Sequence, residues 1–403
     1  MGFAVAIAII ASLTLTSLVR RIALRHGAVS QPDGNRKLHA RPTPLGGGVA
    51  VYLALIFGVS GWYALTQSNT EGMWLPLALG LSAGLICLLG CFDDLYDIPA
   101  SWKLAGQIVS TLPVLLAGCY VERLVVFGFC VNVGYWGIVG TIGWLVLGVN
   151  SLNLVDGVDG LASVIGISIS LCVAVIAAGL GLHQVMVLSL VLAGGLTGFL
   201  VHNLPPAVIY LGDCGSMLIG LILSFLTLQV ALEAPMTANL SVAAILLFVP
   251  LLDTALAIVR RTLSGRSFMA ADRGHVHHRL LDRGFSIWKV LVFLAVFCLI
   301  TGANAWYITV AGHELWAWIA LGSMAIVLVK VQLVGHKEWE LTKRLLVESA
   351  LPVVQRLLPT GLPSRGRDAT PPVIAGSTER TVDEQPEYGP DSSEPAWQKR
   401  RAA

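Results

Sequence analysis

The chain has 403 residues, of which 55% are hydrophobic and only 12% charged, with a formal net charge of +2 and a mean hydropathy of +0.76. Soluble domains carry about 25% charged residues, so an ordinary soluble enzyme, a disordered chain and a disulfide-stapled secreted domain are all excluded. Apolar residues run in blocks at or above the ~18–20 that cross a bilayer as a helix, which points to an all-α polytopic membrane protein.

In chain order, eleven spans are predicted: 2–19, 46–66, 74–91, 102–118, 136–150, 161–180, 185–202, 214–231, 240–260, 287–308 and 314–334. The first has no basic residue before it and is followed by Arg20, Arg21 and Arg25. That order is the reverse of a signal peptide's and suits a retained helix with its N-terminus outside. Counting sides alternately from there puts 25 of the 26 Lys and Arg residues on one side, Arg123 being the exception. By the positive-inside rule that side is cytoplasmic. The longest connection on the opposite side, 119–135, is β-branched, Gly-rich and aromatic, and predicts a small hairpin. Cys119 and Cys130 lie in it, either as two free thiols or as a pair if that side is oxidising. Residues 1–335 thus form a membrane domain, 336–358 mix charge with Trp and Leu as an interfacial helix or a helical extension would, and 359–403 have a disordered tail's composition.

The acids are placed unevenly. Asp93, Asp94 and Asp97 end the third span, Asp156 and Asp159 follow the fifth, Asp213 precedes the eighth, and Asp253 lies within the ninth, in the membrane or in a polar crevice. Clustered carboxylates raise one another's pKa, and a set that stays ionised needs a cation; hard oxygen donors of this kind suit Mg²⁺. The plainer reading is that each Asp caps a helix. A second, basic constellation joins Arg273, His275, His277, His278 and Arg279, and a similar patch runs from Asn35 through Lys37 and His39 to Arg41, just before Gly46-Gly47-Gly48. The flanking arginines favour an anion such as phosphate, with a transition-metal site or a solvated loop as the alternatives. Acids able to hold Mg²⁺ and basic loops able to hold phosphate, on one membrane face, suggest phosphoryl transfer. No GxxxxGK(S/T) P-loop is present, and no nucleic-acid partner is expected.

The ordered motifs GGG (46–48), DDLYD (93–97), NLVDGVDGLA (153–162), PPAVIYLGDCGSMLIG (205–220), LLDTALAIVRR (251–261) and HVHHRLLDRGFS (275–286) resemble those of the polyprenyl-phosphate N-acetylhexosamine-1-phosphate transferases, glycosyltransferase family 4. The resemblance covers residues 1–335 and is nearer the N-acetylglucosamine branch. The phospho-N-acetylmuramoyl-pentapeptide branch of peptidoglycan synthesis usually has Lys where Asp97 stands and His-His-His where this chain has His275-Val276-His277-His278.

The resemblance implies transfer of a sugar-1-phosphate from a UDP-N-acetylhexosamine to undecaprenyl phosphate. UMP would be released, Mg²⁺ or Mn²⁺ would be needed, and the lipid-linked sugar would start a surface polysaccharide. It implies a bacterial cytoplasmic membrane location with the site facing the cytoplasm, and it leaves a homodimer open. By motif position it makes Asp93, Asp94, Asp156, Asp159 and Asp213 catalytic, with Asp213, Asp156 and Asp93 at the metal. Lys37, Asn153, Arg261, His275, His277, His278 and Arg279 would hold substrate. Cys214 stands where Thr is common in the family. From another functional class, an ion-coupled transporter would use Asp253 and the acidic loops as a cation path; it requires carboxylates near mid-membrane in several spans.

Overall fold

A computed structural model describes residues 1–30, 42–66, 73–126, 129–233, 239–265 and 274–330. Lys37 with the rest of its basic patch, Arg273, the proposed interfacial helix and the tail lie outside the described residues. The chain divides after Ser349 into two units, and all described residues belong to the first.

In chain order the elements are α1 (Gly2–His26), β1 (Val29–Ser30), β2 (Thr43–Pro44), α2 (Gly47–Thr66), α3 (Trp74–Tyr96), α4 (Ala100–Leu116), β3 (Arg123–Val126), β4 (Phe129–Asn132), α5 (Trp136–Val155), α6 (Leu161–Gly179), α7 (His183–Asn203), α8 (Gly212–Glu233), α9 (Asn239–Leu246), α10 (Phe248–Leu263), α11 (Val276–Asp282), α12 (Ile287–Ala311) and α13 (Glu314–Lys330). Helix falls at each of the eleven expected spans, but not every helix qualifies as one. Among the described residues eight are long and apolar enough to cross a membrane, and a bent pair, α9 with α10, makes a ninth. Helices α4 and α13 have 17 residues each. The protein is therefore an all-α polytopic membrane protein, with a full count of eleven crossings not reached by length and composition.

The expected ninth span, 240–260, is corrected in shape: it breaks between Leu246 and Phe248 with a bend of 82°. Pro250 explains the break. It has no N–H to donate to the carbonyl of Leu246, four residues back, and its ring crowds that carbonyl. The expected hairpin in 119–135 is present, β3 and β4 pairing antiparallel with Arg123 opposite Asn132 and Val126 opposite Phe129. Cys119 and Cys130 of this connection are both free thiols in the structure.

Helix α8 is the central pillar. Every residue from Cys214 to Leu228 is buried, and it packs against α2, α3, α5, α6, α7 and α9. With lipid outside as apolar as the core, close packing rather than hydrophobicity holds such helices together. Helix α1 shows the device: Ala4, Ala8, Ser12 and Thr16, spaced four apart, are its buried face. Gly58, Gly194 and Gly198 of α2 and α7 meet that helix directly.

Candidate active site

The site is assembled around the N-terminus of α8. Main-chain bonds bring it to the triple glycine: Gly47 N–H donates to Tyr210 O at 3.0 Å and Gly48 N–H to Leu211 O at 2.9 Å. A Cβ on Gly48 would stand 2.2 Å from the nitrogen of Gly215, so only glycine allows α2 to approach the first turn of α8. Gly212 has φ +76°, and a Cβ there would come within 2.5 Å of Asp94 Oδ2. The sequence Leu-Gly-Asp-Cys-Gly is therefore read by close backbone contact on both sides.

Asp94 faces that helix end. Its Oδ1 accepts from the N–H of Asp213 at 2.8 Å and its Oδ2 from the N–H of Cys214 at 3.3 Å. Helix N-termini present unsatisfied N–H groups and attract negative charge, so Asp94 of α3 caps α8 across the interface. Asp93, one residue earlier, turns the other way: Oδ1 accepts from Ile98 N–H at 3.1 Å, and Oδ2 lies 2.6 Å from Lys103 Nζ. The same ammonium is 2.7 Å from Asp213 Oδ2 and 3.3 Å from Asn153 Oδ1. Asn153 in turn donates to Asp213 Oδ1 at 2.8 Å and to Ser216 Oγ at 2.9 Å. Three spans and α4 thus meet at one ion-paired knot.

Lys103 is the residue that sequence reasoning missed as part of the site, counting it only toward sidedness. The available signal was a lone cation at the mouth of an apolar segment, ten residues beyond Asp93.

Asp156 and Asp159 reach the region from the loop after α5. Asp156 is half-buried. Burial, and then the nearby carboxylates of Asp213, Asp94 and Asp159, push its carboxyl up to about 8. Asp159 is buried and accepts from the N–H of Ala207 at 2.9 Å. Beside it, Asn203 accepts from Gly160 N–H and donates to Ile209 O, both at 3.0 Å. Asp159 and Asn203 thereby fasten the loop that leads into Asp213.

The histidine segment arrives on α10 and α11. Asp253 is buried, with Oδ2 2.8 Å from His275 Nδ1 and Oδ1 accepting from Val276 N–H at 2.9 Å. Asp253 therefore sits in a polar crevice made by the loop, and its partner is His275, not an arginine of its own helix. Gly274 lies against the guanidinium of Arg260, where a Cβ would be 2.3 Å from Nε. The rings of His275 and His277 stack at 5.8 Å, and His278 lies 4.3 Å from His277.

His277 is buried, and its Nε2 makes no hydrogen bond among the described residues. Burial, then the neighbouring His278, holds it down to about 3, so it is a neutral imidazole at pH 7. A Cβ on Gly157 would meet that Nε2 at 2.4 Å. His277 therefore abuts the residue next to Asp156, which joins the two constellations that the sequence keeps 121 residues apart. Arg261 is buried; His278 and Arg279 are half-buried.

Asp93, Asp213 and Asp156 supply hard oxygen donors, and two of them already share a cation, the Lys103 ammonium. In chemistry the set fits a divalent ion such as Mg²⁺. Among the described residues, however, no three His, Cys, Asp or Glu side chains converge as a ready-made metal site.

The glycosyl transferase family 4 model matches residues 74–231, the stretch holding Asp93 through the first turns of α8. The chain is 32% identical over 337 residues to a probable undecaprenyl-phosphate N-acetylglucosaminyl 1-phosphate transferase of Bacillus subtilis, covering 82% of this chain and 90% of that one. It is 37% identical to a decaprenyl-phosphate N-acetylglucosaminephosphotransferase of Mycolicibacterium smegmatis, over 72% of this chain and 77% of the relative. It is 29% identical to an undecaprenyl-phosphate alpha-N-acetylglucosaminyl 1-phosphate transferase of Yersinia pestis, over 79% and 87%. With a nearly full-length match at this level, the chain belongs to the polyprenyl-phosphate N-acetylhexosamine-1-phosphate transferases of glycosyl transferase family 4.

Proposed function

We propose that this membrane protein transfers N-acetylglucosamine-1-phosphate from UDP-N-acetylglucosamine to a polyprenyl phosphate, undecaprenyl phosphate being the acceptor, and so begins a cell-surface polymer. The observation that carries the reading is the apposition of His277 to Gly157, which sets an anion-binding loop against a carboxylate cluster held by Lys103. In the reaction an oxygen of the lipid phosphate attacks the sugar-bearing phosphorus. The bond from that phosphorus to the bridging oxygen breaks, and UMP leaves with the electron pair. The acceptor phosphate's second pKa is about 6, so it is largely ionised at pH 7 and needs no strong base.

Mg²⁺ would be held by Asp213, Asp156 and Asp93, with Mn²⁺ as a substitute, and when bound supplies charge neutralisation between the two phosphate groups. The chain's own residues position and shield. Lys103 holds Asp93 and Asp213 at fixed spacing, and Asn153 orients Asp213. His275, His277, His278, Arg261 and Arg279 form the surface for the pyrophosphate, with His277 contributing a neutral imidazole. Lys37 would add a cation from outside the described residues. Asp94 and Asp159 act through structure, on the end of α8 and on the loop before it. The excess of Lys and Arg on the connections expected on one side of the membrane supports a site on the cytoplasmic side of a bacterial inner membrane.

The test is UMP release by detergent-purified protein given undecaprenyl phosphate, Mg²⁺ and a panel of UDP-sugars, with Asp213→Ala alongside. Release that needs lipid and Mg²⁺, prefers UDP-N-acetylglucosamine and collapses in the variant is expected. Folded protein that releases no UMP from any UDP-N-acetylhexosamine would overturn the reading.

A further inference from the structure

The end of α5 that carries Asn153 belongs to the acid cluster; the other end, about 30 Å away along a 20-residue helix, carries the β3–β4 hairpin. The proposed chemistry does not use it. The hairpin is fixed there by its base: Val133 N–H donates to Glu122 O at 3.0 Å, and Val121 N–H donates to Thr141 Oγ1, in the second turn of α5, at 3.1 Å. Gly137 leaves room for this, because a Cβ on it would overlap Val121 O. Opposed residues on paired strands share a face and successive ones alternate. The register therefore puts Arg123, Val125, Cys130 and Asn132 on one face and Leu124, Phe129 and Val131 on the other. Val125 is buried and β3 packs against α9. The second face is apolar and open, with Phe129 77% and Val131 54% exposed.

We propose that this face is a membrane-surface anchor: Leu124, Phe129 and Val131 dip into the phospholipid leaflet remote from the acid cluster, with Tyr135 and Trp136 at headgroup level. What covers the face follows from where the chain goes next. Trp136 opens a helix long and apolar enough to cross the membrane, and Trp136, Val139, Gly140, Gly143 and Leu147 make one exposed stripe along it. On a crossing helix such a stripe meets lipid. Val131 stands five residues before its first member, and Tyr135 and Trp136, exposed side by side between them, are the residue types that mark the headgroup level of a span.

Physical limits set the depth. A lone two-stranded hairpin is marginal in water unless an apolar face is covered, which favours contact with lipid. Its free strand edges, however, keep N–H and C=O groups that hydrocarbon cannot satisfy. The side chains therefore enter the leaflet while the strands stay at its boundary, and Arg123 and Asn132, exposed on the other face, remain in water. The inference rests on the membrane class of the chain and not on the proposed function, so UMP release is no part of its test.

The experiment reconstitutes the full-length protein in vesicles of phosphatidylethanolamine and phosphatidylglycerol that include a phospholipid with a carbene precursor near its glycerol backbone. After illumination, mass spectrometry locates the lipid adducts, which are expected on Phe129 and Val131 and not on Asn132. A second arm, on Val131→Cys in the same vesicles, takes the native Cys130 as its internal standard, since the two positions face opposite ways. A charged maleimide is expected to modify the new thiol about tenfold or more slower than Cys130, because apolar surroundings disfavour the thiolate. Equal rates at the two thiols, a face in water, would overturn the proposal. So would a protected thiol without lipid adducts, a face covered by a second copy of the chain, or adducts spread evenly over both faces.

Discussion

Lys103 Nζ lies 2.7 Å from Asp213 Oδ2, joining the first turn of α4 to the first turn of α8. Because the same ammonium is 2.6 Å from Asp93 Oδ2, it offsets the repulsion of two carboxylates that would otherwise face each other. Lys103→Met is expected to lower UMP release by about 10²-fold or more, the scale of removing one well-placed charge from an active site. Lys103→Arg should not restore it, since a planar guanidinium cannot act as a point charge between two carboxylates. Wild-type rates in the methionine variant would remove Lys103 from the site.

Asp253 ties the histidine segment to α10 through His275 and the N–H of Val276. Asp253→Asn keeps an acceptor for Val276 but loses the carboxylate that faces His275 Nδ1; Asp253→Ala loses both. Buried hydrogen bonds to a charged partner are worth about 1.5–3 kcal/mol each, so a graded result is expected. The alanine variant should be cut faster by protease near α11 and lose more activity than the asparagine variant. Equal proteolysis in wild type and both variants would refute the tether.

His277 sets a sign for the pH dependence of stability. Its folded-state pKa is depressed to about 3, whereas an unfolded histidine titrates near about 6.5. Between those values the unfolded chain binds one more proton, so stability is full above about pH 6.5 and is lost as pH falls toward 3. His277→Gln, neutral throughout, should show a smaller drop in Tm between pH 7.5 and pH 5 than the wild type. An identical drop in both would mean that other groups carry the acid sensitivity.

Gln107 and Asn150 form a reciprocal amide pair one helical turn deeper than the site. Asn150 donates to Gln107 Oε1 at 2.7 Å, and Gln107 donates to Asn150 Oδ1 at 3.3 Å and to Met217 Sδ at 3.5 Å. Lys103 lies four residues before Gln107 and Asn153 three residues after Asn150, so the pair sets the relative register of α4 and α5 beneath both. Gln107→Leu or Asn150→Leu is expected to lower kcat about tenfold or more with little change in KM, as for loss of positioning. The double swap Gln107→Asn with Asn150→Gln should recover part of it. A loss confined to protein yield, with normal kcat in the surviving protein, would reduce the pair to a structural contact.

Membrane class, the helix positions and the hairpin were legible in the sequence because each is written locally. Twenty apolar residues in a row have few alternatives in lipid, and a β-branched, Gly-punctuated connection of Cys119–Tyr135 has the composition of strands and a turn. The acids and histidines stood out for the same reason, as charges beside apolar runs, and the family was readable from the order of its motifs.

Contacts between helices were not legible. The sequence treats Asp93 and Asp94 as neighbours with one role, yet successive positions on a helix point about 100° apart. One therefore meets Lys103 and the other caps α8. Lys103 itself looked like one more cytoplasmic charge until α4 folded back beside α3. The bend at Leu247 turned Asp253 from a lone acid in a span into the anchor of His275. Likewise Cys214, 124 residues along the chain from Gly90, comes against α3 only because that glycine allows α3 to touch α8. Hydrophobicity along the chain thus determined what lies in the membrane. The close approach of glycine-faced helices, which depends on residues far apart in sequence, decided which polar groups face one another.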